Sequence, residues 1–208
     1  MIPLLEREDK NKRFIKNWRP ISLINVDVKI ASKTIARRLE SILPTLVHSN
    51  QNGFIKGRSI VDGVRTIEDI LKFAKFTDSS GILLAIDFEK AFDSLDHSFL
   101  LKILEKFNFG TQFVQGIKTF YTNISSCVLN NGFITDLFNI RCGVRQGDPL
   151  LPLLFILAIE VLACRIRDDK EIKGILIDDE EIKLTLSADD MTCFLRDAAS
   201  YYRLLTQL

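Results

Sequence analysis

Two adjacent aspartates interrupt an apolar, strand-like run, LTLSADDMTCFL (Leu184–Leu195), and this interruption constrains the fold of the 208-residue chain more than any other feature. A carboxylate among apolar residues is costly unless it is paired, hydrogen-bonded or bound to a metal. The flanking runs LTLS and MTCFLR read as strands, which predicts Asp189 and Asp190 in a hairpin turn over a core. A second apolar run, ILLAIDF (Ile82–Phe88), is consistent with a buried strand and carries Asp87 at its end. The longest apolar stretch, PLLPLLFILAIEVLAC, is broken by Pro152 and Glu160. It is too short and too interrupted to span a bilayer, so a buried helix from about Pro152 to Arg167 is expected, and no membrane partner.

The rest of the chain supplies alternating helices and strands, an α/β (α+β) pattern. VKIASKTIARRLESIL (Val28–Leu43) has helical apolar spacing and should end near Pro44. SNQNGFIKGRS (Ser49–Ser59) is rich in turn formers and basic groups and reads as a loop, followed by a helix through SIVDGVRTIEDILKFAKF. DHSFLLKILEKFNF predicts a helix capped by Asp96 or Ser98 and stopped at Gly110. A further helix is expected before Tyr121, then short strands broken at Asn130-Asn131-Gly132. GILID and EIKLTLS look like two strands around an acidic turn.

With 47% hydrophobic residues the chain is globular. Its four cysteines are dispersed, without a C-x-x-C pair, which argues against a zinc site or a disulfide scaffold and fits a reducing, intracellular setting. MIPLLEREDKNKRF lacks the apolar core of a signal peptide, and no import signal is visible, so nuclear and cytoplasmic settings both stay open. Charge is uneven: residues 1–75 carry 15 Lys and Arg against 8 Asp and Glu, and the remainder 13 against 19. A basic first third suits a polyanion, and an acidic remainder suits cations.

Three Asp-Asp pairs occur. Asp168-Asp169 and Asp178-Asp179 have charged neighbours and read as solvated turns. Asp189-Asp190 has apolar flanks, and Asp87 ends a second apolar strand. Strands that deliver carboxylates to one sheet edge can hold hard divalent cations such as Mg²⁺. Two such ions about 4 Å apart can activate an attacking hydroxyl and stabilise a leaving pyrophosphate. Asp87 and Asp189 lie far apart in the chain, so only the fold can join them. Spacing alone names no enzyme.

Four stretches, NWRPISLINVDVKIASKTIARRL (Asn17–Leu39), HSNQNGFIKGRSIVDGV (His48–Val64), LLAIDFEKAFDSLDH (Leu83–His97) and GVRQGDPLLPLLFILAIEVLA (Gly143–Ala163), with ADD following, resemble the ordered blocks of reverse transcriptases. The match is to the non-long-terminal-repeat (LINE-type) retrotransposon kind and covers most of the chain. It implies a right-hand polymerase with fingers from residues 1–80 and a palm over 81–208. A segment at about 111–141 would contribute to the fingers, and the thumb would be absent. It implies RNA-directed DNA synthesis from deoxynucleoside triphosphates (dNTPs) on an RNA template with a DNA primer. By the same resemblance Asp87 and Asp189 ligate two Mg²⁺ ions together with the backbone carbonyl of Phe88, and Asp190 is the less direct partner. Phe92 would close off the ribose 2′ side of the incoming nucleotide, Gln146 would pack on it, and Lys56 and Arg58 would contact the triphosphate. Trp18 and Arg19 would fix the fingers.

The sequence departs from the family pattern at two sites. Ser187 stands where an aromatic residue usually precedes ADD, which removes a surface for the primer. Base–aromatic contacts are worth about 1–3 kcal/mol each. Leu151 stands where a serine would cap the following helix, a loss of about 0.5–2 kcal/mol unless Asp148 caps instead. Together with the missing thumb, these departures give the leading rival reading: a catalytically inactive retroelement remnant with weak nucleic-acid binding. Another two-metal enzyme, a nuclease or cyclase, is a third reading, and the NWRPIS and FIKGRS blocks argue against it.

Overall fold

A computed structural model of the protein describes residues 2–6, 18–20, 22–143 and 147–208. The chain folds as two compact units, each assembled from two segments: residues 1–38 with 90–151, and residues 39–89 with 152–208. Residues 39–80, expected in the fingers, therefore fold in the same unit as Asp87, Asp189 and Asp190.

In the first unit, β1 (Ile2–Glu6) pairs antiparallel with β2 (Trp18–Pro20). Helix α1 (Val26–Leu46) begins here and carries on into the second unit. It runs past Pro44, where the sequence predicted its end. Proline removes one helical N–H, but near the C-terminus that costs a single bond. The freed carbonyls there find another donor, described below.

The second unit opens with α2 (Ile60–Phe76). Ser59 caps it, accepting from Val61 N, while Asp62 returns a bond to the Ser59 N–H, a reciprocal capping box. Strand β3 (Ile82–Ile86) follows, and then the chain re-enters the first unit. There α3 (Ala91–Ser94) precedes α4 (His97–Lys106), capped by Asp96, whose Oδ1 accepts the Phe99 N–H at 2.8 Å. The stop is Asn108, not Gly110. Asn108 takes φ +59°, a left-handed conformation that asparagine tolerates, and Gly110 instead begins α5 (Thr111–Tyr121). Four short strands follow: β4 (Ser125–Ser126), β5 (Val128–Asn130), β6 (Phe133–Ile134) and β7 (Phe138–Asn139). Asn131 and Gly132 both adopt positive φ between β5 and β6, as a tight hairpin turn requires. β5 also pairs parallel with β1, giving the order β2-β1-β5-β6, and β4 pairs with β7.

Helix α6 (Leu151–Asp168) is the core of the second unit. Residues Leu153 to Glu160 are buried without a break, so this helix is covered on all sides, as its sequence predicts. The missing serine at Leu151 is compensated. Asp148, itself buried, accepts the Leu150 N–H at 2.9 Å and the Ser32 hydroxyl. Pro152 has no N–H to satisfy, and Leu151 is buried as a hydrophobe.

The run EIKLTLS, expected as one strand, is two. A hairpin of β8 (Ile175–Ile177) and β9 (Glu180–Ile182) precedes β10 (Leu184–Ser187). The break is Lys183, whose buried ammonium donates to Arg167 O at 2.7 Å and Asp169 O at 2.9 Å, capping the end of α6. β11 (Asp190–Leu195) then pairs with β10 on one side and β3 on the other, giving the order β10-β11-β3. β3 is thus an edge strand. Leu83 is 44% exposed, so ILLAI is half-covered and not the buried strand its composition suggests. The chain ends in α7 (Ala198–Leu205), which the sequence reading missed. Its signal is Asp197, which accepts from Ser200 N at 2.8 Å.

Candidate active site

The three-stranded sheet brings the three aspartates together. In the β3–β11 ladder Ile86 lies opposite Met191, so Asp87, one residue on, and Asp190, one residue back, sit at the same end of neighbouring strands. Directly opposed residues in such a ladder have Cα atoms about 5 Å apart. Asp189 lies in the turn, and Asp190 is the first residue of β11, paired with Ser187. The turn is therefore Ala188-Asp189, one residue earlier than the sequence reading placed it.

The electrostatics follow from this convergence. Burial pushes the Asp190 carboxyl above the ordinary carboxylate range, and the charges of Asp189 and then Asp87 push it further in the same direction. Uncompensated negative charge of this kind is relieved by a cation, and carboxylate oxygens are the donors that hard divalent ions take. Among the described residues no group of three or more His, Cys, Asp or Glu side chains forms a ready-made metal cage. Carboxylate oxygens are the donor type a hard divalent ion takes, but the three side chains do not meet as a set of three. Phe88 follows Asp87 immediately, so its carbonyl leaves the same strand end.

The remaining predicted residues fall in different places. Lys56 is exposed on the loop between α1 and α2. Arg58, on the same loop, is not free for a phosphate. Its guanidinium donates to four backbone carbonyls: Pro44 (3.2 Å), Val47 (3.0 Å), Gln51 (2.9 Å) and His48. It closes the C-terminus of α1 and folds the loop back on it, satisfying carbonyls that a helix end leaves orphaned. Its own pKa is lowered by the burial this requires. Phe92 lies in α3, in the other unit. Gln146 lies outside the described residues. The loop that leads to it is anchored by Gly143, whose carbonyl is 2.7 Å from His97 Nε2 and whose N–H donates to Leu95 O at 2.8 Å. Gly143 takes φ +84°, and a Cβ there would meet Asp93 O at 2.6 Å.

Two residues at the site escaped the sequence reading. Residues 50–52 run alongside β10, with Leu186 N donating to Asn50 O and Asn52 N to Leu186 O, both at 2.8 Å. This places Gln51, fully buried, against the Ala188 turn. Gly53 follows, and a Cβ there would fall 2.2 Å from Ala188 N. In sequence this loop stands out for its turn formers and basic groups. The available signal was a glutamine and a glycine flanked by asparagines, polar groups with no basic role of their own.

A family model described as "Reverse transcriptase (RNA-dependent DNA polymerase)" matches residues 8–208. The "Transposon TX1 uncharacterized 149 kDa protein" of Xenopus laevis is 40% identical over 193 residues, covering 92% of this chain and 15% of that protein. The "Retrovirus-related Pol polyprotein from type-1 retrotransposable element R2" of Popillia japonica is 26% identical over 180 residues, 84% of this chain and 24% of that protein. The chain thus spans less than a quarter of the length of these relatives. Among solved structures, apo telomerase from Candida tropicalis, truncated from its C-terminal domain, is similar with a TM-score of 0.58. The identity is 13%, over 92% of this chain and 44% of that one, so the likeness is one of fold, the right-hand polymerase fold. Reverse transcriptases use divalent metal ions and bind an RNA template and a primer. By the match over residues 8–208 and the 40% identity to the TX1 protein, this chain belongs to the reverse transcriptase family, on the non-long-terminal-repeat retrotransposon side.

Proposed function

We propose that the chain is the polymerase portion of a retrotransposon-derived RNA-directed DNA polymerase, joining a dNTP to a primer 3′-hydroxyl on an RNA template. The observation that carries the reading is the register of the β3–β11–β10 sheet, which sets Asp87 opposite Asp190 at one end with Asp189 in the adjoining turn. In this reading Asp87, Asp189 and the Phe88 carbonyl hold two Mg²⁺ ions, and Asp190 is the third carboxylate. Such ions, when bound, ease deprotonation of the attacking hydroxyl and stabilise the leaving pyrophosphate.

The chain's own residues have separable tasks. Asp87 follows the end of β3 and Asp189 lies in the β10–β11 turn, so their separation depends on the sheet register and on how that turn is held. By the family resemblance Phe92 is assigned to the ribose 2′ side of the nucleotide, where a hydroxyl marks RNA precursors. Gln146 packs on the incoming nucleotide. Lys56 meets the triphosphate as a point charge, while Arg58 acts at a distance by bracing the loop that carries Lys56. The palm is the segment 81–208, with 111–141 contributing to the fingers. The fingers are otherwise 1–80, of which residues 39–80 pack with the palm strands.

The test is primer extension by the purified chain on a primed RNA template, with dNTPs and Mg²⁺, beside an Asp189→Ala control. Extension that disappears in the control supports the reading. Equal extension in both sinks it. If neither extends, the inactive-remnant reading gains, and Ser187, half-buried where the family carries an aromatic ring, is the observation that favours it.

A further inference from the structure

We propose that Gln51 is a positioning residue for the carboxylate site: its side-chain amide locks the peptide of Ala188 and so fixes the direction in which Asp189 leaves the sheet. This rests on the carboxylate reading above and adds a residue to it that touches neither substrate nor cation.

The geometry is specific. Gln51 Oε1 accepts the Ala188 N–H at 2.9 Å and the Gly53 N–H at 2.8 Å, and Gln51 Nε2 donates to Ala188 O at 3.3 Å. One amide thus satisfies both the donor and the acceptor of Ala188, as a neighbouring strand would. The side chain is completely buried, so water does not compete for these bonds. Ala188 needs such a partner. It is buried and takes φ +60°, a left-handed conformation that costs a Cβ-bearing residue about 1–2 kcal/mol. A residue held in so sparsely populated a region persists where its surroundings over-determine it.

The clamp is itself held from three directions. Arg58 gathers the carbonyls of Val47, His48 and Gln51. Asn50 Nδ2 donates to Leu184 O at 3.2 Å, and Asn50 Oδ1 accepts from Arg167 Nη1 at 3.1 Å. Gly53 lies so close to Ala188 that no side chain fits between them. The stretch from Val47 to Gly53 is thus tied to α1, α6 and β10. Metal-binding constellations need ligands held to within about 0.5 Å by groups that are themselves immobile. The loop supplies that rigidity to a two-residue turn that has none of its own.

The experiment uses Mn²⁺ alone as probe, read by the loss of the free-ion electron paramagnetic resonance signal, together with amide hydrogen exchange at Ala188. In the unmodified chain the Ala188 amide should exchange as slowly as those of β11. Gln51→Met, which keeps length and loses both hydrogen-bonding ends, should speed that exchange and weaken Mn²⁺ binding about 10-fold, with helix content unchanged. Gly53→Ala should act in the same direction by pushing on the turn. Asp189→Asn is the control for the carboxylate site. Mn²⁺ binding that depends on Asp189 but is untouched by Gln51→Met overturns the role of Gln51 alone. Mn²⁺ binding that ignores Asp189→Asn overturns the carboxylate reading, and the role of Gln51 with it. If both loop variants fail to fold, exchange at Ala188 in the unmodified chain decides: an amide as labile as an open turn overturns the clamp.

Discussion

Two hairpins in one unit carry adjacent aspartates in nearly the same turn. In β8–β9 the loop residues are Asp178-Asp179, and in β10–β11 they are Ala188-Asp189, with Asp190 next. Both loops have two residues, and both have positive φ at the first position only (52° and 60°). There the likeness ends. Asp178 and Asp179 are exposed, their hairpin is a sheet of two strands, and no side chain among the described residues braces the turn. In the other turn Ala188 is buried and Asp189 half-buried, the hairpin belongs to a three-stranded sheet, and Ala188 is clamped by Gln51. Aspartate tolerates the left-handed region because its side chain can bond locally, whereas alanine has no such recourse. One hairpin therefore makes a turn by local preference. The other is held in its turn by residues more than a hundred positions away.

That difference predicts where damage will be felt. The largest effect should come from Arg167→Ala. Arg167 holds both Asn50 and buried Glu160, whose side chain is 3% exposed. Removing one partner of a buried ion pair costs about 3–5 kcal/mol, measurable by urea unfolding. The loss should also free the 48–53 loop, so exchange at Ala188 should rise while exchange in the β8–β9 turn stays fast in both proteins. An Arg167→Ala protein with unchanged stability would show that the Asn50 and Glu160 contacts contribute nothing. Next in size is the contrast between acidic pairs. Asp189→Asn should weaken Mn²⁺ binding by about 10-fold or more, while the double change Asp178→Asn with Asp179→Asn should leave it within error. Equal losses would mean that Mn²⁺ senses only net charge.

Much of this was legible from the residues alone, and the failures have physical causes. Asp87, Asp189 and Asp190 stood out because a carboxylate beside an apolar strand is expensive, but Asp87 and Asp190 are exposed and Asp189 is half-buried, so their place at one end of the sheet, not burial, sets them apart. The buried α6 was readable because its apolar residues run unbroken from Leu153 to Ile159. Arg58 bonds carbonyls that no local pattern announces, because a guanidinium suits a phosphate and a cluster of carbonyls equally well and only the path of the chain after Pro44 brings those carbonyls to it. Gln51 was invisible because its role depends on a parallel pairing with Leu186, a contact across 135 positions that no local pattern encodes. β3 was called buried because composition reports hydrophobicity and not whether a strand lies at an edge. Lys183 broke a predicted strand because its ammonium answers to the end of α6, again a distant partner.

A smaller effect should come from the turns themselves. Ala188→Gly removes the Cβ penalty of the left-handed conformation, about 1–2 kcal/mol, against the extra chain entropy glycine loses, about 0.5–1 kcal/mol. A net gain of about 0.5–1 kcal/mol in chemical denaturation is expected. Asp178→Gly should gain less, because Asp178 already tolerates its conformation. If the two substitutions gain equally, the clamp does not change the local energetics of the turn.

The smallest effects are in pH dependence, and their signs separate the charge cluster from ordinary helix caps. The folded state holds a proton on Asp190 more tightly than the unfolded chain does, because burial and then the charges of Asp189 and Asp87 raise its carboxyl. Its contribution to stability is therefore fully present below the ordinary carboxylate pKa. It is lost as pH rises through the raised folded value. Asp190→Asn should make the cation-free protein more stable at pH 7, with the advantage fading as pH falls toward the ordinary carboxylate range. Asp96 and Asp197 behave oppositely. The Ser98 hydroxyl and then the Phe99 N–H lower Asp96, and the Ser200 N–H lowers Asp197. Their contributions are present above the ordinary carboxylate pKa and disappear as pH falls through the lowered folded values. Asp96→Asn should therefore destabilise at pH 7 and become neutral in strong acid. Thermal melting of both variants from pH 2 to 8, at low salt because these groups are open to screening, should give difference curves of opposite sign at neutral pH. Curves of the same sign would show that Asp190 is not in a cluster of like charge, and the convergence of the three aspartates would lose its electrostatic support.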